Sequence, residues 1–205
     1  MTRRLLVPLA LLAVLPACRL KRMEAPAIYA PWEEGRTLAF EDPSLPTADA
    51  QRASRYQLRV AQGLMDPTRP GLVKITQTTF QNEPYTYMLR LEDGGVELLG
   101  EDGKSVAWML PKGFQEGTAS WVDARRNLTF RVLGPGAWEN PAQVKGVADP
   151  IGLWLEASSP TGKRRTLFLR GLGEVETQVW RDGTWVVVNR LVDMGFLDDR
   201  PAVKP

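Results

Sequence analysis

The feature that most constrains this chain is an alternation of apolar and polar side chains, which recurs between residues 38 and 188. Successive side chains of a β-strand point to opposite faces of the sheet, so alternation with a period of two residues indicates strands with one buried face. The alternating runs are short. They lie at 38–40, 56–60, 73–79, 85–91, 106–110, 128–132, 151–155, 167–169, 175–179 and 186–188.

Turn-forming residues separate many of these runs. They occur at 93–95, 101–103, 134–136, 160–162 and 182–183, and each group contains a glycine. Short runs between such turns are typical of antiparallel sheets, whereas parallel βαβ units need long helical crossovers that this sequence lacks. The sequence therefore predicts an all-β or mainly β fold, either an antiparallel sandwich or a half-barrel of about 9–12 strands.

Residues 47–62 fit the pattern of a helix as well as that of a strand. Thr47 is a suitable N-cap, Asp49 falls in the first turn, and Gly63 is a suitable stop. The period-two alternation is stronger in the second part of the segment. We therefore predict a strand from about Arg55, with one short helical turn before it.

The best-specified local structure is a hairpin over residues 174–192. Asp182-Gly183 is a strong two-residue turn because both central positions need a positive φ. This turn places Trp180 opposite Trp185 and predicts one apolar core face and one mixed face. The mixed face carries Glu176, Gln178, Trp180, Trp185, Val187 and Asn189.

The tryptophan pair on the mixed face has two interpretations. In the first, both rings pack beneath the N-terminal tether or a neighbouring loop. In the second, they form an exposed aromatic platform for a glycan, a peptide or a lipid. We take Trp180, Trp185, Gln178 and Asn189 as the candidate binding residues of that platform.

The first 18 residues carry a pattern of export. Two arginines precede an apolar run over residues 5–15, which ends in a Pro-Ala-Cys sequence at Cys18. A basic start, an apolar core and small residues at the cut are typical of a signal peptide. At about 1.5 Å per residue, the run is too short to cross a hydrocarbon core of roughly 30 Å.

Residues 15–18, Leu-Pro-Ala-Cys, resemble the lipobox of bacterial lipoproteins, although Pro16 stands where a small or hydroxyl residue is usual. The resemblance implies cleavage before Cys18 and lipidation of that cysteine with diacylglycerol and a fatty acid such as palmitate. It also implies a cell-envelope protein whose lipid anchor holds it at a membrane. Arg19 stands where a retention aspartate would, which implies the outer membrane, facing the periplasm, if the organism is diderm.

Four segments follow from these patterns. They are a signal peptide over 1–17, a lipidated tether over 18–34, a single antiparallel β domain over 35–196 and a C-terminal tail over 197–205. Removal of the signal with its two arginines leaves 24 basic and 24 acidic side chains. A chain so balanced lacks a general excess of positive charge, so nucleic acid is not an expected partner.

The residue inventory excludes several kinds of chemistry. The chain has no histidine and one cysteine, which rules out His/Cys zinc sites, Ser-His-Asp triads and Cys-His dyads. Acidic pairs such as Glu92-Asp93 and Glu101-Asp102 lie in predicted turns, where acids are common. We therefore predict no catalytic residue, no metal site and no cofactor.

The sequence leaves three functions open. The first is a non-enzymatic binding or assembly module of the envelope, with an envelope protein, a glycan or a lipid as its partner. The second is a lipid or lipoprotein carrier with an apolar groove, because the length, β content, lipobox and tryptophan content loosely resemble LolA/LolB-type half-barrels. The third is a hydrolase that uses carboxylates alone. A hollow interior would favour the second function and a filled interior the first.

Overall fold

The structure is a computed structural model. It describes residues 33, 35–60, 71–79, 83–92, 95–100, 102–111, 119–124, 126–139, 143–147 and 150–196. The predicted signal peptide, most of the predicted tether, Cys18 and the predicted tail lie outside these residues. The strands run from Arg36 to Phe196.

The described residues form twelve strands and one short helix, α1, which spans Ala48–Ala53. The strands are β1 Arg36–Glu41, β2 Tyr56–Val60, β3 Leu72–Thr79, β4 Tyr85–Glu92, β5 Gly95–Leu99, β6 Ser105–Leu110, β7 Ser120–Asp123, β8 Leu128–Ala137, β9 Ile151–Ser159, β10 Gly162–Leu169, β11 Gly173–Arg181 and β12 Thr184–Phe196.

All twelve strands belong to one sheet. Neighbours in the chain are neighbours in the sheet from β1 to β6 and from β7 to β12, and β1 pairs with β12 to join the two halves. The strands β6 and β7 are therefore its two edges. This arrangement confirms the predicted antiparallel all-β fold, and one continuous sheet corresponds to the half-barrel rather than to the sandwich.

The sheet coils until its two halves face each other. One buried cluster combines Val96 from the first half with Phe130 and Leu155 from the second. Near the two edges, Nη2 of Arg126 donates a hydrogen bond to the carbonyl oxygen of Trp108 at 3.0 Å. The result is a nearly closed barrel-like sheet with a seam between β6 and β7.

A second buried cluster extends the core beyond this interior. It contains Leu169, Val175 and Leu191 from three neighbouring strands, together with Trp138 and Val144 from the connection between β8 and β9. Full burial of an aliphatic side chain of this size contributes about 1.5–3 kcal/mol. Trp138 and Val144 therefore tie this connection to the core, while most of its other described residues are exposed.

The helix α1 follows the predicted capping pattern. The side chain of Thr47 accepts a hydrogen bond from the amide of Ala50 at 3.1 Å, which satisfies one of the free amides of the first turn. At the other end, the amide of Ser54 donates to the carbonyl of Ala50 at 3.0 Å. The strand β2 begins at Tyr56, so the predicted change from helix to strand near Arg55 is confirmed.

One predicted turn proves to be a strand. The Gly-Pro-Gly sequence at 134–136 continues β8, and Pro135 pairs with Leu153 of β9. Among the described residues, β7 pairs with only the first part of β8, so no described strand needs an amide donor from Pro135 on its other side. Gly136 lies against the Trp154 ring, which a Cβ would meet at 2.2 Å. The predicted break was wrong because glycines that permit close contact resemble turn glycines in sequence.

Candidate functional site

The interior of the coiled sheet is hollow. A central cavity of about 420 Å³ and an inner pocket of about 160 Å³ share Tyr56 and Glu174 in their walls. An outer groove of about 440 Å³ shares Arg126, Ala157 and Arg164 with the central cavity. The three spaces therefore adjoin in the order inner pocket, central cavity, outer groove.

Mostly apolar side chains build the inner pocket. Phe40 is 1% exposed and stacks on the Tyr56 ring, with 5.3 Å between centroids and 17° between planes. The remaining apolar wall consists of Leu38, Leu58, Tyr87, Val96, Met109, Leu110, Phe168 and Leu172. A pocket of this composition suits an alkyl or aromatic group.

Polar groups meet in the central cavity on β10, β11 and β12. One carboxylate oxygen of Glu174, Oε1, accepts hydrogen bonds from the Thr177 hydroxyl at 2.9 Å and from the Asn189 amide at 3.0 Å. The hydroxyls of Thr166 and Thr177 lie 2.9 Å apart across the two strands. Within the described part of the chain, no hydrogen bond reaches Oε2 of Glu174. We call Glu174, Thr177, Asn189 and Thr166 the polar cluster.

Burial and the charge of the polar cluster raise the pKa of two tyrosines. Burial, followed by the charge of Glu174, raises the pKa of Tyr87 to about 12. The same two causes, in the same order, raise the pKa of Tyr56 above its ordinary value, and a hydrogen bond with the Asn189 side chain opposes them. Both hydroxyls are therefore protonated at neutral pH and can donate hydrogen bonds, Tyr56 where the inner pocket meets the central cavity and Tyr87 within the inner pocket.

The predicted tryptophan pair has the predicted register. Trp180 pairs with Trp185 across β11 and β12, and the ring centroids lie 5.2 Å apart with 68° between planes. Trp180 is 45% exposed and lines the outer groove, whereas Trp185 is half-buried. Trp180 is therefore the more accessible ring of the pair.

A cation lies beside Trp185. The Arg165 guanidinium is 4.5 Å from the ring centroid of Trp185 and 4.8 Å from that of Trp154. Its Nε donates to Oε1 of Gln178 at 2.8 Å, and Gln178 donates to Glu176 at 2.6 Å. Desolvation lowers the pKa of Arg165, and Glu176 opposes that effect. Gln178 thus helps to hold Arg165 between two indoles, where cation–π attraction stabilises the stack.

Asn189, the fourth candidate residue of the aromatic platform, lies apart from the other three. Thr177 pairs with Asn189, but the next pair along β11 is Gln178 with Val187, so Val188 is an extra residue in β12. A bulge of this kind changes which face the following side chains occupy. Asn189 therefore lies in the central cavity beside Thr177, apart from Gln178 and the tryptophans.

The sequence reasoning missed Glu174, Thr177 and Arg164 as cavity residues. Glu174 and Glu176 looked like an ordinary acidic pair with one residue between them. A second irregularity lies in the pairing of β10 with β11. Leu167 pairs with Glu176 and Phe168 with Glu174, so the two glutamates face different surroundings. Glu174 lines the cavity, whereas Glu176 contacts Gln178. One sequence pattern could have indicated the cavity. Arg164, Thr166 and Phe168 alternate along β10, and all three line the central cavity.

The described ranges contain no group of three or more metal-ligating side chains. Within those same ranges, no helix has the length and apolar character needed to cross a membrane.

Comparison with known proteins gives a faint similarity in shape. No protein-family model and no curated protein matches the sequence. Among solved structures, a candidate exported protein with a YmcC-like fold from Bacteroides fragilis is 11% identical, with a TM-score of 0.44, over 80% of this chain and 96% of the other. A candidate lipoprotein from Parabacteroides distasonis is 10% identical, with a TM-score of 0.42, over the same shares. These values are too low to transfer a function.

Proposed function

We propose that this chain is a non-enzymatic binding protein of the cell envelope that holds a small amphiphilic ligand inside its half-barrel. The hollow interior carries the proposal because it offers space for a ligand inside the sheet, and the same hollow interior favours a lipid carrier, which is therefore kept as the second candidate. Ligand sites in proteins are concave, mostly apolar and about 300–1,000 Å³ in volume, with a few convergent polar groups. The inner pocket supplies the apolar wall, and the polar cluster supplies the convergent groups.

The affinity of the cavity can be tested with a neutral fluorescent probe, N-phenyl-1-naphthylamine, on the exported chain carrying Cys18→Ala. This substitution prevents the acyl groups of the anchor, or a detergent, from competing for the cavity. Ala157 is 5% exposed and lines the central cavity, so Ala157→Phe fills part of the space. We expect Ala157→Phe to weaken probe binding about tenfold, which corresponds to about 1.4 kcal/mol.

The matched control is Ala53→Phe, at the exposed end of α1, which should leave probe binding unchanged. Circular dichroism of both variants should retain the β spectrum. Equal probe binding in the two variants, or the absence of probe binding in the parent chain, would contradict the proposed function.

The membrane anchor is a separate part of the proposal. Cys18 lies in the lipobox-like sequence, and two or three acyl chains on one residue would hold the domain at a bilayer, whereas a single chain binds only reversibly. We expect Cys18→Ala to move the protein from the membrane fraction to the soluble fraction after ultracentrifugation. A Cys18→Ala protein that still sediments with membranes would show that the anchor lies elsewhere.

A lipid carrier is the second candidate function, and the apolar inner pocket favours it. A carrier must release its ligand to an acceptor as well as bind it. Incubation of the Cys18→Ala chain with donor and acceptor vesicles that contain a fluorescent lysolipid would distinguish the two functions. Faster transfer with protein than without it supports a carrier, and unchanged transfer together with tight binding supports a binding protein alone.

A further inference from the structure

The outer groove is strongly basic. Lys163 and Arg164 on β10 and Arg181 at the end of β11 line it and are all exposed. None of the three forms an ion pair with a residue in the described part of the chain. Arg126 also lines the groove, but Asp123 Oδ2 lies 2.7 Å from its Nε and offsets its charge. No acidic side chain among the described residues lines the groove.

The register of the strands explains why Arg164 lies at the mouth of the interior. Arg164 pairs with Ala157 of β9 on one side and with Val179 of β11 on the other. Cross-strand partners share a face, and all three side chains line the outer groove. Arg164 also lines the central cavity. A group bound at Arg164 would therefore stand directly above the polar cluster.

The polarity of the interior changes in three steps from the mouth inward. The outer groove offers three exposed cations and the exposed ring of Trp180. The central cavity offers hydroxyl, amide and carboxylate groups that exchange hydrogen bonds around Glu174. The inner pocket offers mostly apolar side chains. A ligand that matches all three has an anionic head, a hydroxyl-bearing middle and one apolar chain.

We propose that the half-barrel binds a single-chain amphiphile with an anionic head group joined to its chain through a hydroxylated linker. This inference rests on the proposed function and adds the class of ligand. The head group lies at Arg164 and Arg181, whose side chains share the face of Val179. A hydroxyl of the linker donates to Oε2 of Glu174, the oxygen that no described residue bonds, and the chain enters the inner pocket.

The test is displacement of N-phenyl-1-naphthylamine by lauroyl amphiphiles below their critical micelle concentrations, with the Cys18→Ala chain. Lauroyl lysophosphatidic acid carries both a phosphate and a glycerol hydroxyl, monolaurin carries glycerol without charge, and dodecyltrimethylammonium carries a positive charge. We expect lauroyl lysophosphatidic acid to displace the probe at about tenfold lower concentration than monolaurin, since charge-assisted hydrogen bonds are the stronger kind. This advantage should decrease with added salt.

Substitutions in the protein test the contacts of the head group separately from those of the rest of the ligand. Arg164→Gln should weaken displacement by lauroyl lysophosphatidic acid about fivefold to tenfold and leave monolaurin unchanged. Thr177→Val, inside the polar cluster, should weaken both ligands. Arg59→Gln is the matched control because Arg59 is exposed on β2 and lines none of the three spaces.

Each other result identifies which proposal fails. If no amphiphile displaces the probe and the probe itself does not bind, the proposed function fails. If lauroyl lysophosphatidic acid and monolaurin bind equally, or if the ammonium compound binds best, the ligand class is wrong while the binding function stands. If the protein binds anionic vesicles but not the monomeric amphiphile, the basic groove contacts a membrane surface, and the inference is overturned.

Discussion

At the scale of single residues, Glu174 acts electrostatically on two tyrosines of the cavity wall. After burial, it is the second cause of the raised pKa of both Tyr56 and Tyr87. Its Oε1 already accepts two hydrogen bonds, from Thr177 and Asn189, and these hold the carboxylate in place. The side chain therefore tunes two hydroxyls and presents one oxygen to a ligand.

This effect predicts the alkaline titration of the two tyrosines. Glu174→Gln removes a negative charge that disfavours tyrosinate, so the pKa of Tyr56 and of Tyr87 should both fall. Ultraviolet absorbance of tyrosinate measures this, with Tyr56→Phe and Tyr87→Phe to assign the two transitions. The matched control is Glu176→Gln, because Glu176 contacts Gln178 rather than the cavity. An unchanged titration in Glu174→Gln would contradict the interpretation.

The raised pKa of Tyr87 also predicts how the stability of the fold depends on pH. The pKa of Tyr87 is about 12 in the folded protein and about 10 in an unfolded chain. Between these values the unfolded state has already lost the proton, so it binds fewer protons than the folded state. The stabilisation is therefore complete below about pH 10 and is lost as pH rises toward 12. Urea unfolding across this range should show the decrease, and Tyr87→Phe should reduce it.

At the scale of elements, the pairing of β4 with β5 depends on a buried carboxylate. Glu97 is 2% exposed, lies opposite Arg90, and accepts from its Nε at 2.8 Å. Loss of a hydrogen bond to a charged group usually costs about 1.5–3 kcal/mol. The Arg90 side chain is 43% exposed and can turn to water, so Glu97→Ala leaves no buried unpaired charge, and we place its cost at about 2 kcal/mol.

Chemical unfolding in urea measures the cost, and Glu92→Ala is the control. Glu92 also approaches Arg90, at 3.5 Å, but its side chain is 44% exposed. Surface substitutions of this kind change stability by about 0.5 kcal/mol or less. Equal losses for the two variants would mean that burial of Glu97 does not matter for this strand pair.

The strands also show what sequence patterns can and cannot reveal. Alternation indicated β2 and β8, because in each strand one face is more exposed than the other. It missed β5, since four of its five residues are buried and both faces are covered, and it missed β7, which has only four residues. The cavity was harder to predict, because Asn189 and Glu174 reach it through irregularities in pairing. Such irregularities leave no mark in a period-two pattern.

At the scale of the whole molecule, the seam is where the backbone pairing of the described strands ends. Described pairings place β6 beside β5 and β7 beside β8, and no pairing joins β6 to β7 in the described ranges. The contact across the seam includes the hydrogen bond from Arg126 to the carbonyl of Trp108. Opening of the barrel should therefore begin at this edge.

Hydrogen exchange measures this directly. We expect the amides of β6 and β7 that face the seam to exchange at least about a hundredfold faster than those of β12, which has a partner on both sides. Amides of β6 that face β5 serve as the internal control. Protection of the seam amides equal to that of β12 would indicate a closed barrel.

The bulge at Val188 has one more consequence. Because faces alternate along a strand, an insertion of one residue is the smallest change that carries a side chain from the solvent to the interior. The bulge places Asn189 in the interior beside Glu174. A half-barrel can therefore acquire a new ligand contact by adding a residue to an existing strand, with no change of topology and no new element.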